Sequence, residues 1–222
     1  MRFLPLLLAL FCCNSFADVC DELPKPSVTV KLHEEPVGLG TVTGLRTLSL
    51  MGPRSLQEGQ RVLGLTRGAA IVRFETRVVS RVDASRQWEC ASPQISVTYG
   101  FSPLTVYVAK EFPKDSCAYR EIYQHEQRHV DAYRQHLAGI EKELADTLSR
   151  RFTTGGPWRG PIGQARTRIA NELEERWGPY VRREINKVEL VQAQIDTPEE
   201  YRRVAERCDG AIKKITLQAL QR

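Results

Sequence analysis

Tyr123-Gln124-His125-Glu126-Gln127-Arg128-His129-Val130-Asp131 is the stretch on which the reading of this chain turns. It lies in a segment with helical periodicity from roughly Ser116 to Phe152. On an α-helix, residues four apart share a face and lie ~6 Å apart along the axis. His125 and His129 can therefore turn two imidazoles toward one ion. Glu126, one residue round from the first, can reach a water on that ion. The whole chain holds four histidines, His33, His125, His129 and His136, so two of them at this spacing around an acid form a specific arrangement.

The surrounding residues add to this reading. Tyr119, Ile122, Val130, Tyr133, Leu137, Ile140, Leu144 and Leu148 form one stripe about 80° wide at 100° per residue. Glu126 falls at its centre, and the two histidines flank it. A carboxylate on a core-facing stripe is costly unless it is paired or functional. Pro113-Lys114-Asp115-Ser116 precedes the helix and offers Asp115 or Ser116 as N-cap.

With 222 residues, 41% hydrophobic and 27% charged, the composition is that of an ordinary globular protein. The formal charge of +5 is modest, and the arginines are dispersed, which disfavours nucleic acid as a partner. Arg2, the apolar run Phe3 to Cys13 and Ser15-Phe16-Ala17 have the form of an export signal, so residues 1–17 are expected to be removed. The run is too short to span a bilayer. Phe11, before Cys12, argues against lipidation, so no stable membrane anchor is expected. Cys20, Cys90, Cys117 and Cys208 remain after cleavage. In an exported chain this even count predicts two disulfides, with three connectivities open.

Taken in order, Ser27 to Leu32 reads as a strand, and Val37 to Leu50 as extended and glycine-punctuated. Ser55 to Leu65 is undecided between helix and loop. Ala69 to Val82 reads as a strand. Ile95 to Phe101 and Leu104 to Lys110 read as two strands of a hairpin about Ser102-Pro103. After the motif helix, Thr153 to Gly163 reads as a flexible loop and Gln164 to Trp177 as a helix. Gly178-Pro179 should break that helix, and Tyr180 to Ile195 should resume it. Thr197-Pro198-Glu199-Glu200 is a helix start, and a last helix should run to about Leu220. Strands first and helices after predict an α+β domain over residues 18–222, strand-rich over 18–112 and helical over 113–222, with a mostly antiparallel twisted sheet.

Catalytic zinc takes three protein ligands and leaves a position for water. His136 lies seven residues past His129, ~10 Å further along an unbroken helix, and so points away from the site. Glu172, in Ala170-Asn171-Glu172-Leu173 on the following helix, is the preferred third ligand. It flanks the Ile169, Leu173, Trp177 and Tyr180 stripe much as His125 flanks its own. Asp131, Glu184 and Asp196 stay open as other acids.

The run Tyr123 to Asp131, together with the export signal, resembles predicted secreted bacterial zinc proteases of uncharacterised function. Asn171-Glu172 resembles the gluzincin arrangement, in which a Glu on the helix after the motif helix completes the site. Met51 to Ala91 resembles no family. The resemblance implies a zincin-like fold and a periplasmic or secreted protein of a Gram-negative bacterium. It also implies a zinc metallopeptidase with His125, His129 and Glu172 as ligands and Glu126 as base, acting on a peptide or protein substrate. An oxyanion would be met by a Tyr or Arg, with Tyr180 and Tyr201 as candidates by residue type. A strand such as Ile95 to Phe101 could pair with an extended peptide. The competing expectations are a non-catalytic exported binding or assembly protein that keeps a structural or vestigial metal site, and a helical partner surface with no metal.

Overall fold

A computed structural model of the chain describes residues 18–52 and 61–221. The expected export signal, and most of the stretch left undecided between helix and loop, lie outside the described residues.

The fold is α+β. Its axis is β4 (Trp88–Val108), a 21-residue strand with long runs of buried residues. β1 (Ser27–His33) and β2 (Gly38–Gly40) pair with one side of β4 in parallel. β3 (Gly64–Asp83) pairs antiparallel with β4 along its whole length, from Asp83↔Trp88 to Gly64↔Val108. The four residues of β5 (Trp158–Pro161) pair antiparallel with the start of β4. The sheet is thus mixed, and part of the expected loop after the motif helix is a strand.

The hairpin that does form joins β3 to β4. No turn occurs at Ser102-Pro103, so the expected hairpin between Ile95–Phe101 and Leu104–Lys110 is not there. The register passes from Phe101↔Ala70 to Leu104↔Gly68, so Ser102 and Pro103 together oppose Ala69, and this bulge in β4 accommodates the proline without ending the strand. Ile95 to Phe101 therefore lies between β1 and β3, with both edges used, and cannot take up a peptide.

The segment expected to be extended up to Leu50 contains a helix, α1 (Leu45–Met51), anchored by buried Leu45 and Leu48. α2 (Cys117–Phe152) is the 36-residue motif helix, started by Ser116, whose hydroxyl accepts from the Tyr119 N–H. Its stripe serves two clusters. Ile122 and Val130 pack with Leu48, Val106 and Val108, whereas Leu137, Leu144 and Leu148 pack with Val97, Tyr99, Trp177 and Val181. α3 (Ala165–Glu172) continues through a π-helical turn, Leu173–Trp177, into α4 (Gly178–Asn186). The chain passes Gly178-Pro179 without a break, because Pro179 sits in the first turn of α4, where its missing N–H costs least. α5 (Val188–Ile195) leads to α6 (Pro198–Glu206), capped by Thr197 through the Glu200 N–H. The expected single last helix is two. Left-handed backbone at Cys208, Asp209 and Gly210 separates α6 from α7 (Ala211–Leu220).

Both expected disulfides are present, as Cys20–Cys90 and Cys117–Cys208. The second ties the start of α2 to the end of α6. Among the described residues, no helix is long and apolar enough to cross a membrane.

Candidate metal centre

α2 brings its histidines and Glu126 under β3 and against the segment that joins α5 to α6. The His125 and His129 rings lie 4.9 Å apart, with their Nε2 atoms separated by 3.1 Å. Asp196 Oδ1 stands 3.1 Å from His125 Nε2 and 3.2 Å from His129 Nε2. The three donors form a nearly equilateral triangle. Tetrahedral donors bound to zinc at 2.0–2.1 Å are about 3.3 Å from one another, so the donor set and its spacing fit that ion.

The other ring nitrogens are also held. His125 Nδ1 faces Glu200 Oε1 at 3.1 Å, and His129 Nδ1 faces Gln192 Oε1. Gln192 also donates from Nε2 to the His129 carbonyl at 3.2 Å, which fixes its amide across the helix. Each ring thus has an acceptor at both nitrogens, while a neutral imidazole carries one proton. A cation at the Nε2 corner would let the His129 Nδ1–H donate to Gln192 and leave Nε2 free to ligate, whereas His125 Nδ1 meets both Glu200 Oε1 and a donor, Arg128 Nη2, at 2.7 Å. Glu200 is neutralised by Arg203 and by Arg128, which contacts the same Oε1 that faces His125. The Arg203 hydrogen bonds lead in holding its carboxyl down to about 2.

Charge balance at the corner follows from burial and proximity. Burial pushes the Asp196 carboxyl up, but its bonds to His125 and His129 outweigh this and hold it far below the usual range. Burial pulls His129 down, and Asp196 and Glu126 more than offset it, so its pKa is raised.

Glu126 is 3% exposed. Thr66 Oγ1 donates to its Oε2 at 2.8 Å. Gly64 allows this approach: a Cβ there would lie 2.7 Å from Glu126 Oε1 and 2.8 Å from Ile122 Cγ2. Burial is the main cause of a raised Glu126 pKa, against which both histidines act. The cost of a carboxylate on the core stripe is thus met in part by Thr66 and the imidazoles.

These groups line one cleft of about 660 Å³, between β3, α2, α5 and α6. Its apolar end is formed by Met51, Val62, Ile122 and Val204, and its polar end by Tyr133, Glu189 and Gln192. Tyr201 lines the cleft too. Burial, with Asp196 and Glu126 nearby, pushes its hydroxyl up to about 12. Tyr180 packs on Trp177 in the second core cluster and lines no part of the cleft.

Among the described residues β3 pairs with β4 alone, which leaves its other edge open along the cleft. The Leu63 carbonyl accepts from Ala109 on the β4 side. By strand alternation, Gly64 and Thr66 direct their N–H and C=O groups outward, beside Glu126.

Glu172 is elsewhere. Arg151 donates to it from Nε at 2.6 Å and from Nη2, and Trp177 Nε1 donates at 3.1 Å. Arg151 is 22 residues beyond His129, ~33 Å along α2. The expected ligand is thus an ion-paired acid at the far end of the motif helix, and Asp196 stands at the histidine corner in its place. α3 runs beside the C-terminal end of α2, and so carries Glu172 away from the motif. His136 Nε2 meets the Glu184 carbonyl at 2.9 Å, away from the histidine corner. Glu184 pairs with Lys187 and Arg183, and Asp131 is exposed.

The sequence reading missed Gly64, Thr66, Gln192 and Glu200, and held Asp196 only among alternatives. A signal was available in the spacing Glu189, Gln192, Asp196, Glu200, a polar stripe at steps of three, four and four residues.

No protein-family model matches the chain, and no curated protein or solved structure matches it. The resemblance to secreted zinc proteases therefore rests on the motif stretch and the export signal.

Proposed function

We propose that the protein is an exported zinc-dependent hydrolase, periplasmic or secreted, that cuts peptide bonds. The observation that carries this reading is the convergence of His125 Nε2, His129 Nε2 and Asp196 Oδ1 beside a buried Glu126 in an open cleft. The open β3 edge supports a peptide substrate, since Gly64 and Thr66 offer main-chain hydrogen bonds to an extended chain at the site. The paired cysteines accord with an oxidising compartment.

His125, His129 and Asp196 would hold the ion, and Gln192 and Glu200 would orient the rings. When bound, zinc supplies Lewis acidity, lowering the pKa of water and polarising a carbonyl. Glu126, desolvated under Gly64, accepts a proton at its carboxylate and returns it to the leaving amine. Thr66 holds that carboxylate in place. The Tyr201 hydroxyl, kept protonated, is suited to donate to an oxyanion.

A non-catalytic metal protein is the second reading, favoured by the near-complete burial of Glu126. Zinc content and peptide turnover of the wild type and of Glu126→Gln separate the two. The hydrolase reading expects about one zinc in each protein and turnover in the wild type alone. Turnover in neither sinks it, and so does stoichiometric zinc in the His125→Ala/His129→Ala double variant.

A further inference from the structure

The cleft is open along β3 only up to Gly68. There the regular register ends in the bulge at Gly68/Ala70. The Gly68 backbone amide is turned to the Tyr133 hydroxyl, and Arg182 Nη1 donates to the Ala70 carbonyl at 3.3 Å. Arg182 thus occupies a main-chain group that a longer partner strand would need, and Tyr133 stands against the strand one step before it. An extended chain beside the metal corner has Gly64 and Thr66 to pair with, and then meets Tyr133.

Glu189 stands at this closed end. It lines the cleft with Gln192 and Asp196 along one face of α5 and its C-terminal junction. It is exposed and makes no ion pair among the described residues. Arg67 lines the same cleft and, like Glu189, acts on the Tyr133 hydroxyl, but no ion pair joins it to Glu189 among the described residues. Seven residues separate Glu189 from Asp196, ~10 Å along the helix. An extended peptide covers that distance in about three residues.

We propose that Glu189 is a specificity-determining residue that receives a cationic group of the substrate, two to four residues from the scissile bond. The group is a free amino terminus or a Lys or Arg side chain. This rests on the peptidase reading above. A peptide added antiparallel to β3, the more stable pairing, turns its amino-terminal side to the closed end. The acid there and the blocked edge both suit a short, positively charged amino-terminal segment.

The test uses zinc-loaded Glu126→Gln protein, which holds substrate without turnover. Its ligands are an uncharged, N-acetylated and C-amidated peptide, the same peptide with a free amino terminus, and N-acetylated versions with one Lys at successive positions. Binding is read by fluorescence anisotropy. At least one cationic peptide should bind about fivefold tighter than the uncharged one, the size expected of a solvent-exposed ion pair. Adding Glu189→Gln should bring that ratio to about one, and Glu189→Arg should reverse it toward peptides carrying Asp. The free-amine and Lys arms tell the two sources of charge apart. In the wild type, mass spectrometry should place the cut carboxy-terminal to the cation. A preference that survives Glu189→Gln, or no charge preference with peptides bound, overturns the inference and leaves the peptidase reading standing. Binding of no peptide of any charge overturns both.

Discussion

Asp196 Oδ1 stands 3.1 Å from His125 Nε2 across 71 residues of chain. This contact makes the acid at the α5–α6 junction the partner of the histidines, and leaves Glu172 to Arg151. On the proposed reading, Asp196→Asn should weaken zinc binding by at least about 100-fold, since it would remove a ligand and not merely a supporting bond. Glu172→Gln and His136→Ala should each change affinity less than about threefold. Competition with a chromophoric chelator measures all three, and a large loss in Glu172→Gln with none in Asp196→Asn refutes the assignment.

Gln192 and Glu200 hold the imidazoles from behind. Gln192→Ala and Glu200→Ala should each cost about 10–100-fold in zinc affinity, the usual size for groups that orient ligating histidines. Glu200→Gln keeps an acceptor for His125 Nδ1–H and should recover part of the loss. In cobalt-substituted protein, the alanine variants should shift the visible band while the far-ultraviolet dichroism stays that of the wild type.

Gly64→Ala tests the approach of β3 to α2. The added methyl would fall 2.7 Å from Glu126 Oε1, and something must move. Overpacking of this kind costs about 1–3 kcal/mol. Denaturant melts should show that loss, and peptide turnover should drop while one zinc per chain is retained. A variant as stable and as active as the wild type would mean that the strand and helix are less closely packed than this.

Reduction should act on the two disulfides unequally. Cys20 and Cys90 are 2% and 0% exposed, whereas Cys117 is exposed. Mild dithiothreitol followed by alkylation should label Cys117 and Cys208 first, as identified by mass spectrometry. Cys117→Ser/Cys208→Ser should lose about 2–5 kcal/mol of stability. It should also bind zinc more weakly, because α6 is then fastened to α2 by fewer links. Zinc affinity equal to that of the wild type would separate the disulfide from the site.

Much of the site's frame was legible in the sequence because it is local. The Ser116 cap, the α2 stripe, the Thr197 cap and the placement of Glu126 on the buried face all depend on residues within a few turns of one another. What escaped depends on distant partners. No neighbour in sequence caps α1; its Leu45 N–H donates to Glu111 Oε2 at 3.1 Å, 66 residues on, and Leu45 and Leu48 fill the core. Pro103 reads as a turn unless its pairing with β3, in which Ser102 and Pro103 bulge opposite Ala69, is known. Glu172 and Asp196 both follow helical stripes. Only the packing of α3 along the far end of α2, and of α5 beside its histidines, decides between them. The division of the last helix was partly legible, since Asp209-Gly210 is a turn signal.

The order in which the centre's parts occur along the chain has a consequence for when the protein can act. His125, His129 and Glu126 are synthesised well before Asp196, Glu200 and Cys208. A growing or partly translocated chain carries the histidine pair and the base with no third ligand, no support for His125, and no clamp on α2. Hydrolytic competence, on this reading, arrives only once the segment that carries Asp196, Glu200 and Cys208 has followed the motif helix out of the machinery that made it. Late completion would shield the cell interior from hydrolysis.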